Sequence, residues 1–257
     1  MVALFVAGRA GAGKTAIGAG LGRLLTAKGW KTGFLDIRGA GEADAEFMKQ
    51  VLKLPESAAS LCPDSSDTGR LKDAYAQAAQ SRDAVILEGG LENHDTGQSQ
   101  LCYKTAATLG AKVIIVAAYD QEPAALAESA RTFGGNLAGV LLNKVPASRL
   151  GRTQTPAGVK LLGELPEDRA LAALTVGELA ECVRGKILNN AEKAAELVEN
   201  LMLGAMVVDS GAGYFGRKRN KAAIIRGDRP DMQLAALDTS TRCLVPVSYT
   251  HLRAHET

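Results

Sequence analysis

The feature that most constrains this chain is a glycine-rich stretch, GRAGAGKT at residues 8–15, which follows an apolar run over residues 2–7. It matches the pattern G-x-x-x-x-G-K-[ST], whose glycines let backbone N–H groups converge on phosphate oxygens. The apolar run is typical of a buried strand, and residues 14–28 carry apolar side chains at helical spacing. Strand, loop and helix in this order predict a phosphate site that the positive end of the helix strengthens. The alternative is a glycine-rich turn without a ligand.

Patterns of buried strands alternate with helical patterns over residues 1–172. This alternation predicts an α/β fold with a mostly parallel sheet and helices on both of its faces. The predicted strands are 2–7, 31–39, 83–90, 111–120, 137–146 and 159–168. The predicted helices are 14–28 (ended by Gly29), 42–53, 69–82 and 122–133.

A second, smaller α/β unit is predicted over residues 173–245. Its predicted helices are 175–183, 190–203 and 230–237, and its predicted strands are 186–188, 204–209, 220–228 and 241–245. The residues after 245, PVSYTHLRAHET, follow no strand or helix period and contain His251 and His255. They resemble a translated adapter sequence, so we expect residues 246–257 to be a non-native tail, which would make the natural chain longer. The alternative is a genuine polar tail.

Bulk composition excludes several classes of protein. A net charge of +2 gives no strong field for nucleic acid or anionic lipid. No apolar run is long enough to span a bilayer, and no signal peptide precedes the first strand. The four cysteines form no CxxC pair, which argues against a zinc site. We therefore expect a cytoplasmic protein that binds neither nucleic acid nor membrane.

The glycine-rich loop supplies most of the candidate site residues. Lys14 is expected to reach the β- and γ-phosphates, and the Thr15 hydroxyl to bind Mg²⁺. Arg9 either neutralises phosphate charge, reaches a second subunit's nucleotide, or faces solvent. The cofactor-binding residues predicted in the loop are Gly8, Arg9, Ala10, Gly11, Ala12, Gly13, Lys14, Thr15 and Ala16.

Two carboxylates at the ends of predicted strands are candidate metal ligands, because ligands of open α/β sheets bind beyond the carboxyl ends of the strands. Glu88, in VILEGG, is predicted to be a catalytic residue with Lys14 and a metal ligand with Thr15; the alternative is a surface charge at a strand end. Asp36, in FLDIRG, is either a metal ligand or a solvated turn residue.

Polar residues at later strand ends are candidates for nucleotide contacts. Asn143, which precedes Lys144 in LLNKVP, can offer a donor and an acceptor to a base edge, or it is a turn residue. Lys144 is also a predicted nucleotide contact, and Leu165-Pro166-Glu167 is expected to close the base pocket. His94 is either an acid–base residue or part of a polar loop.

With these residues in place, the chain resembles a known group. GRAGAGKT, VILEGG, GVLLNKVP and LGELPED resemble the dethiobiotin synthetase-like P-loop domain over residues 1–172. VGELAE, NLMLGAM, RKRNKAAIIRGDRPDMQLAAL and TSTRCLV resemble a DRTGG domain. Together they are similar to the amino-terminal part of the phosphotransacetylase family, or to its stand-alone homologues.

The resemblance implies a P-loop NTPase-like fold that binds ATP and Mg²⁺, joined to a small regulatory domain. It implies phosphate and metal contacts for Lys14 and Thr15, a metal ligand in Glu88 and a base contact in Asn143. It also implies a homo-oligomer, with a phosphotransacetylase catalytic domain or a metabolic enzyme as a possible partner.

The chain departs from this group in two ways. Dethiobiotin synthetases usually carry a second-strand lysine, where this chain has Asp36-Ile37-Arg38. The acyl-transferring domain of phosphotransacetylases is absent, so we do not expect this chain alone to make acetyl phosphate.

In the small domain, RGDRPD at 226–231 stands before a helix predicted to begin near Pro230. Asp228 and Asp231 either favour the N-terminus of that helix, or Asp228 and Arg229 contact a ligand or subunit.

Three functions are consistent with these features. The first is an ATP- and Mg²⁺-binding regulatory protein with slow or no ATPase activity. The second is an ATP-dependent ligase of the dethiobiotin synthetase type that activates a carboxylate or carbamate. The third is a non-catalytic interaction module.

Overall fold

The computed structural model describes residues 1–38, 42–63, 68–92, 97–205 and 211–247. The chain divides into two compact units, Met1–Glu167 and Asp168–Thr257. The sequence analysis predicted the boundary between the two units after residue 172, and the structure has it after Glu167. His94 and the tail from residue 248 onward lie outside the described residues.

The first unit is built on a six-stranded sheet in the order β2-β3-β1-β4-β5-β6. Each pair of neighbouring strands is parallel. The predicted parallel α/β fold is therefore confirmed. The strands are β1 (Val2–Gly8), β2 (Thr32–Asp36), β3 (Ala84–Gly90), β4 (Lys112–Ala118), β5 (Leu137–Val145) and β6 (Leu161–Pro166).

Helices cover both faces of this sheet, because successive side chains of a buried strand point in opposite directions. Phe5 of β1 belongs to a core cluster with the helices over residues 97–109 and 123–133, whereas Val6 belongs to a cluster with the helices over residues 14–27 and 42–52. The helices are α1 (Lys14–Ala27), α2 (Glu42–Leu52), α3 (Ala58–Leu61), α4 (Thr68–Ala78), α5 (Gly97–Leu109) and α6 (Pro123–Phe133). The sequence analysis did not predict α3 or α5.

The helix α1 packs through glycine rather than through all of its large apolar residues. Leu24 is 62% exposed, whereas Gly18 and Gly22 are buried. A Cβ on Gly22 would lie 2.6 Å from Cδ2 of Leu52 in α2. The predicted helix is present. Because α2 packs close to it, the face that carries Gly18 and Gly22 is buried. Gly29, with φ +85°, follows the helix as predicted.

The second unit contains a three-stranded parallel sheet in the order β11-β10-β9 and an antiparallel pair of β7 with β8. Its strands are β7 (Leu174–Thr175), β8 (Leu197–Val198), β9 (Asn200–Gly204), β10 (Lys221–Arg226) and β11 (Thr241–Val247). Its helices are α7 (Val176–Cys182), α8 (Gly211–Phe215) and α9 (Pro230–Leu237). The helix predicted to start near Pro230 is confirmed.

The helix predicted over 190–203 is wrong. Only a 3₁₀ turn at Ala191–Lys193 forms there, and the chain then enters β8 and β9. Met202 of β9 is buried with Phe215, while Leu201 and Leu203 point the other way and are exposed. Alternating burial of this kind suits a strand, and pairing with β10 overrides the helical propensity of the segment.

Two other predictions in the second unit need correction. The strand predicted over 186–188 does not form. Pro246 and Val247, assigned to the tail, continue β11 and pair with Ile225 and Arg226. Of the strand predicted over 204–209, residues 206–209 lie outside the described residues.

Candidate nucleotide-binding site

All six strands of the first unit end at one edge of the sheet, because they are parallel. The chain reaches β2 and β3 on one side of β1 and β4 on the other, so β1 stands where the strand order reverses. Open α/β sheets bind their ligands at this position. The glycine-rich loop, residues 8–15, leaves β1 at this point and leads into α1. The loop therefore has the setting of a phosphate-binding loop, and the unit has a P-loop NTPase-like fold.

Two glycines of the loop are required by close approaches. A Cβ on Gly8 would lie 2.3 Å from the backbone oxygen of Val116 in β4. Gly13 has φ +91°, and a Cβ there would lie 2.3 Å from Nδ2 of Asn143. A side chain at either position would move the loop away from its neighbours. The loop is thus held between β4 and the end of β5 by contacts that only glycine permits.

Lys14 is buried at the start of α1, with 5% of its surface exposed. Its Nζ donates a hydrogen bond to the backbone oxygen of Arg9 at 2.9 Å. Burial lowers the pKa of Lys14, while the negative charge of Glu88 opposes that shift. Gly13 is the N-cap of α1, and no side chain caps this N-terminus. A buried cation and an uncapped helix N-terminus together favour an anion.

Glu88 lies at the end of β3 and is almost fully buried, with 1% exposed. The alternative of a surface charge is therefore wrong. Its Oε1 accepts a hydrogen bond from Oγ1 of Thr15 at 2.9 Å, whereas its Oε2 is buried without a hydrogen-bond partner among the described residues. Burial raises the pKa of Glu88 to about 7, although Arg38 and Thr15 act to lower it. A bare buried carboxylate oxygen beside the loop threonine is the chemistry of a cation ligand.

Asp36 and Arg38 form an ion pair next to Glu88. Asp36 is fully buried, so the alternative of a solvated turn residue is wrong. Its Oδ1 accepts from the backbone N–H and Nε of Arg38, at 2.8 and 2.9 Å, and its Oδ2 accepts from Nη2 at 2.6 Å. Both oxygens of this predicted metal ligand are thus engaged by one arginine.

The same arginine contacts two further carboxylates. Nη2 of Arg38 lies 2.6 Å from Oδ2 of Asp44 in α2, and Nη1 lies 3.2 Å from Oε1 of Glu88. Burial acts to lower the pKa of Arg38, but hydrogen bonds to Asp36 and Asp44 and the charge of Glu88 outweigh it and raise the pKa. The sequence analysis named Arg38 only as part of the segment that replaces the second-strand lysine of dethiobiotin synthetases, and it missed Asp44. The acidic start of α2 was the available signal.

Asn143 and Lys144, at the end of β5, hold the glycine-rich loop from its other side. Nδ2 of Asn143 donates to the backbone oxygen of Ala12 at 2.9 Å. Lys144, with φ +58°, places its Nζ 2.8 Å from the backbone oxygen of Gly11. One of the two amide N–H donors of Asn143 is therefore already used, which leaves the second N–H and Oδ1 for the predicted base contact.

The remaining predicted residues lie at the exposed rim of this edge. Pro166, the last residue of β6, pairs with Val145 and is exposed. Arg9 is also exposed, and it lines a cavity of about 350 Å³ together with Asp120 and Glu122. The exposed Ala10, Gly11 and Ala16 and the buried Ala12 complete the predicted loop set. The structure thus brings every described member of the predicted site to one edge of the sheet.

The residues at this edge fit a magnesium ion that shares its coordination with a bound phosphate. No group of three or more His, Cys, Asp or Glu side chains in the described part of the chain could hold a metal. The Thr15 hydroxyl and the unpaired Oε2 of Glu88 nevertheless offer oxygen donors side by side. Mg²⁺ usually takes one or two protein ligands and completes its shell with water and phosphate oxygens.

In the second unit, the RGDRPD loop satisfies its own charges. Arg226 pairs with Asp228 at 2.5 Å, and Arg229 pairs with Asp231 at 2.7 Å. Asp231 lies in the first turn of α9, where a negative charge is favoured. Asp231 is therefore placed to favour the N-terminus of α9. A ligand or subunit contact by Asp228 and Arg229 would involve side chains that already form ion pairs within the loop.

Comparison with known proteins identifies the second unit. The family model of the DRTGG domain matches residues 178–254, so the predicted DRTGG domain is confirmed. The chain thus joins a P-loop NTPase-like unit to a DRTGG domain. A dethiobiotin synthetase-like specificity of the first unit remains a prediction.

Two solved structures resemble part of the chain. The signal recognition particle receptor FtsY from Elizabethkingia anophelis has 17% identity and a TM-score of 0.39, covering 56% of this chain and 50% of its own. The cell division protein FtsY from Thermotoga maritima has 16% identity and a TM-score of 0.41, covering 56% of this chain and 52% of its own. The chain spans about half the length of these structures, and its fold class rests on its own sheet order and loop.

No described helix has both the length and the apolar character needed to cross a bilayer.

Proposed function

We propose that this chain is a regulatory protein that binds ATP together with Mg²⁺ and hydrolyses it slowly or not at all. The first unit binds the nucleotide, and the DRTGG domain takes part in the regulatory response. Lys14 and the N-terminus of α1 bind the phosphates, Thr15 and Glu88 hold the metal, and Oδ1 of Asn143 contacts the base. Mg²⁺, when bound, neutralises phosphate charge.

The observation that carries this proposal is the pair formed by Thr15 and Glu88. A carboxylate buried to 1% exposure normally has both oxygens satisfied, because an unpaired buried polar atom costs about 1–3 kcal/mol. Oε2 of Glu88 has no such partner among the described residues. A cation at this position, next to a phosphate on the loop, would remove that cost.

Nucleotide binding is tested by calorimetry of the whole chain with ATP and Mg²⁺. We expect wild type to bind, and Lys14→Ala to weaken binding by at least ~100-fold, because a buried charge-assisted contact is lost. Lys28→Ala, at the exposed end of α1, is the matched control and should leave affinity unchanged. Equal affinity of wild type and Lys14→Ala would contradict the proposed role of the loop.

Hydrolysis is tested by comparing wild type with Glu88→Ala, in Mg²⁺ and in EDTA. We expect slow turnover at most, dependent on both the metal and Glu88. Equal rates under all four conditions would eliminate a metal-dependent ATPase. Failure of wild type to bind a fluorescent ATP analogue at millimolar concentration would instead favour the non-catalytic interaction module.

The position of Arg38 favours a second candidate, a ligase of the dethiobiotin synthetase type that activates a carboxylate or carbamate. Such an enzyme needs a cation beyond Lys14 near the terminal phosphate, and Arg38 lies 3.2 Å from Glu88. ADP release that depends on diaminopelargonic acid and bicarbonate would support this candidate. Turnover independent of these substrates would count against it.

Assembly and partners are also proposals. The resemblance to the phosphotransacetylase family supports a homo-oligomer that associates with a catalytic domain of that family or with a metabolic enzyme. Light scattering with and without ATP and Mg²⁺ tests whether the nucleotide changes assembly. An unchanged mass at saturating nucleotide would exclude control of the oligomeric state.

A further inference from the structure

Arg38 is connected to the Thr15 end of the glycine-rich loop through Glu88, which contacts both residues. Lys14 and the metal-binding threonine of such loops serve the β- and γ-phosphates. Glu88 is hydrogen-bonded to Thr15, and Nη1 of Arg38 is 3.2 Å from the same Glu88 oxygen. Asn143 contacts the loop from β5, on the opposite side of β1. A bound nucleotide would therefore present its terminal phosphate to Arg38 and its base to the other side.

The three carboxylates around Arg38 are not equally bound. Asp36 is fully buried and holds the guanidinium through two parallel hydrogen bonds. Glu88 is buried and also bonded to Thr15. Asp44, in contrast, makes one contact of 2.6 Å, and its side chain is 44% exposed. Because solvent reaches the Asp44 side of this pair and weakens it, Asp44 is the partner most easily exchanged.

A terminal phosphate is a stronger partner for Arg38 than Asp44 is. It brings more negative charge and three acceptor oxygens, and the planar guanidinium binds phosphate in a bidentate manner. Asp44 would not be stranded, since it is in the first turn of α2, where the helix dipole favours a negative charge. The exchange therefore needs no unpaired buried charge.

We propose that Arg38 distinguishes nucleoside triphosphate from diphosphate by exchanging Asp44 for the terminal phosphate, which releases the start of α2 from β2. This inference rests on the proposed nucleotide binding and adds Arg38 as the residue that binds the terminal phosphate of a nucleoside triphosphate. The bond between Arg38, just after β2, and Asp44, in the first turn of α2, is the polar contact that the exchange breaks, while Ala45 and Met48 of α2 stay in the core cluster that includes Phe34 of β2. The start of α2 is thus the segment whose stability reports which nucleotide is bound.

The test is calorimetry with Mg²⁺ and either a non-hydrolysable ATP analogue or ADP. For Arg38→Gln we expect triphosphate affinity to fall about 10- to 100-fold more than ADP affinity does, because the change also removes a neighbour of Glu88 and so acts on both nucleotides. For Asp44→Asn, which keeps Arg38 in place, we expect tighter triphosphate binding and unchanged ADP binding. Arg23→Gln, on the exposed side of α1, is the control and should change neither.

A second measurement follows the release of α2 directly. Amide hydrogen exchange of Glu42–Leu52 should be faster with the triphosphate analogue than with ADP in wild type, and equal with both in Arg38→Gln. Because Arg38→Gln removes a buried charge, Asp44→Asn and the wild-type exchange experiment test the inference even if that variant folds poorly.

The outcomes separate the two proposals. If wild type binds both nucleotides but Arg38→Gln weakens both equally, or Asp44→Asn does not strengthen triphosphate binding, the inference is overturned and the proposed function stands. Equal exchange of α2 with both nucleotides in wild type also overturns it. If wild type binds neither nucleotide, the proposed function fails and this inference fails with it.

Discussion

The two units treat their polar groups in opposite ways. In the P-loop unit, the N-terminus of α1 has no side-chain cap, and Glu88 keeps a buried oxygen without a partner among the described residues. In the DRTGG unit, α7 begins with a complete capping box between Thr175 and Glu178. Lys221 is also fully buried there, but its Nζ donates to Thr239 and to a backbone oxygen.

The difference shows which unit has buried polar groups that a ligand could pair. The DRTGG unit satisfies the start of α7 and its buried lysine from within, and Pro230 in the first turn of α9 removes one N–H that would otherwise need a partner. The P-loop unit gathers buried charge at one sheet edge and leaves part of it uncompensated. Buried polar groups are nearly always paired in folded proteins, so the uncompensated edge is the better candidate for binding.

The largest expected effect concerns stability after loss of a cation. Arg38→Gln leaves Asp36 and Glu88 buried without their arginine, and breaking a buried ion pair from one side costs about 3–5 kcal/mol. Arg226→Gln, the matched change in the DRTGG unit, removes a pair whose side chains are 48% and 56% exposed. We expect a far smaller loss there, because exposed pairs contribute little. Urea unfolding of both variants without nucleotide measures the difference.

An equal loss of stability in the two variants would show that the buried cluster is no more dependent on its arginine than the exposed loop is. The two units would then not differ in how they treat charge, and the argument for the P-loop edge would rest on its geometry alone.

The second expected effect is a pH dependence that belongs to Glu88. Its pKa is raised from 4.5 to about 7, so the stability due to protonated Glu88 is fully present below about pH 4.5 and is lost as the pH rises through about 7. Between pH 5 and pH 8, without metal or nucleotide, wild type should lose roughly 2–3 kcal/mol relative to Glu88→Gln. Denaturant unfolding of both proteins across this range gives the values.

Asp231 of the DRTGG unit is the control for this titration. The hydrogen bond from Arg229 lowers the pKa of Asp231 to about 2, so its contribution is present above its ordinary pKa and is lost only as the pH falls through about 2. Asp231→Asn should therefore leave the slope between pH 5 and pH 8 unchanged. A Glu88→Gln variant with the wild-type slope would contradict the assigned burial of Glu88.

The same contrast explains what the sequence could predict. The six strands follow from apolar runs, and the position of Glu88 near the end of β3 follows from one such run that stops at a charged residue; both are local patterns. The order of the strands then brings these ends to one edge. The pairing of Arg38 with Asp44 was not predictable, because it depends on how α2 packs beside β2.

Pairing between residues distant in sequence also explains the main wrong prediction, the helix over residues 190–203. The segment 190–203 has the composition of a helix, but β9 is formed by residues that pair with β10 about twenty positions later. The glycine-lined face of α1 is a similar case, since only the approach of Leu52 to Gly22 shows which side is buried. Local propensity is a weak guide wherever a distant strand or helix supplies the partner.

The smallest expected effect concerns the capping box at the start of α7, where the polar groups of the DRTGG unit are already paired. The side chain of Thr175 accepts from the N–H of Glu178 at 3.1 Å, and the Glu178 carboxylate accepts from the N–H of Thr175 at 2.7 Å. Thr175→Ala should cost about 1 kcal/mol, seen as faster hydrogen exchange of the α7 amides. Thr175→Ser keeps the hydroxyl and should exchange like wild type. Neither change should alter nucleotide affinity, because this helix start is filled by its own side chains; weaker ATP binding in Thr175→Ala would show that the cap also supports the nucleotide site.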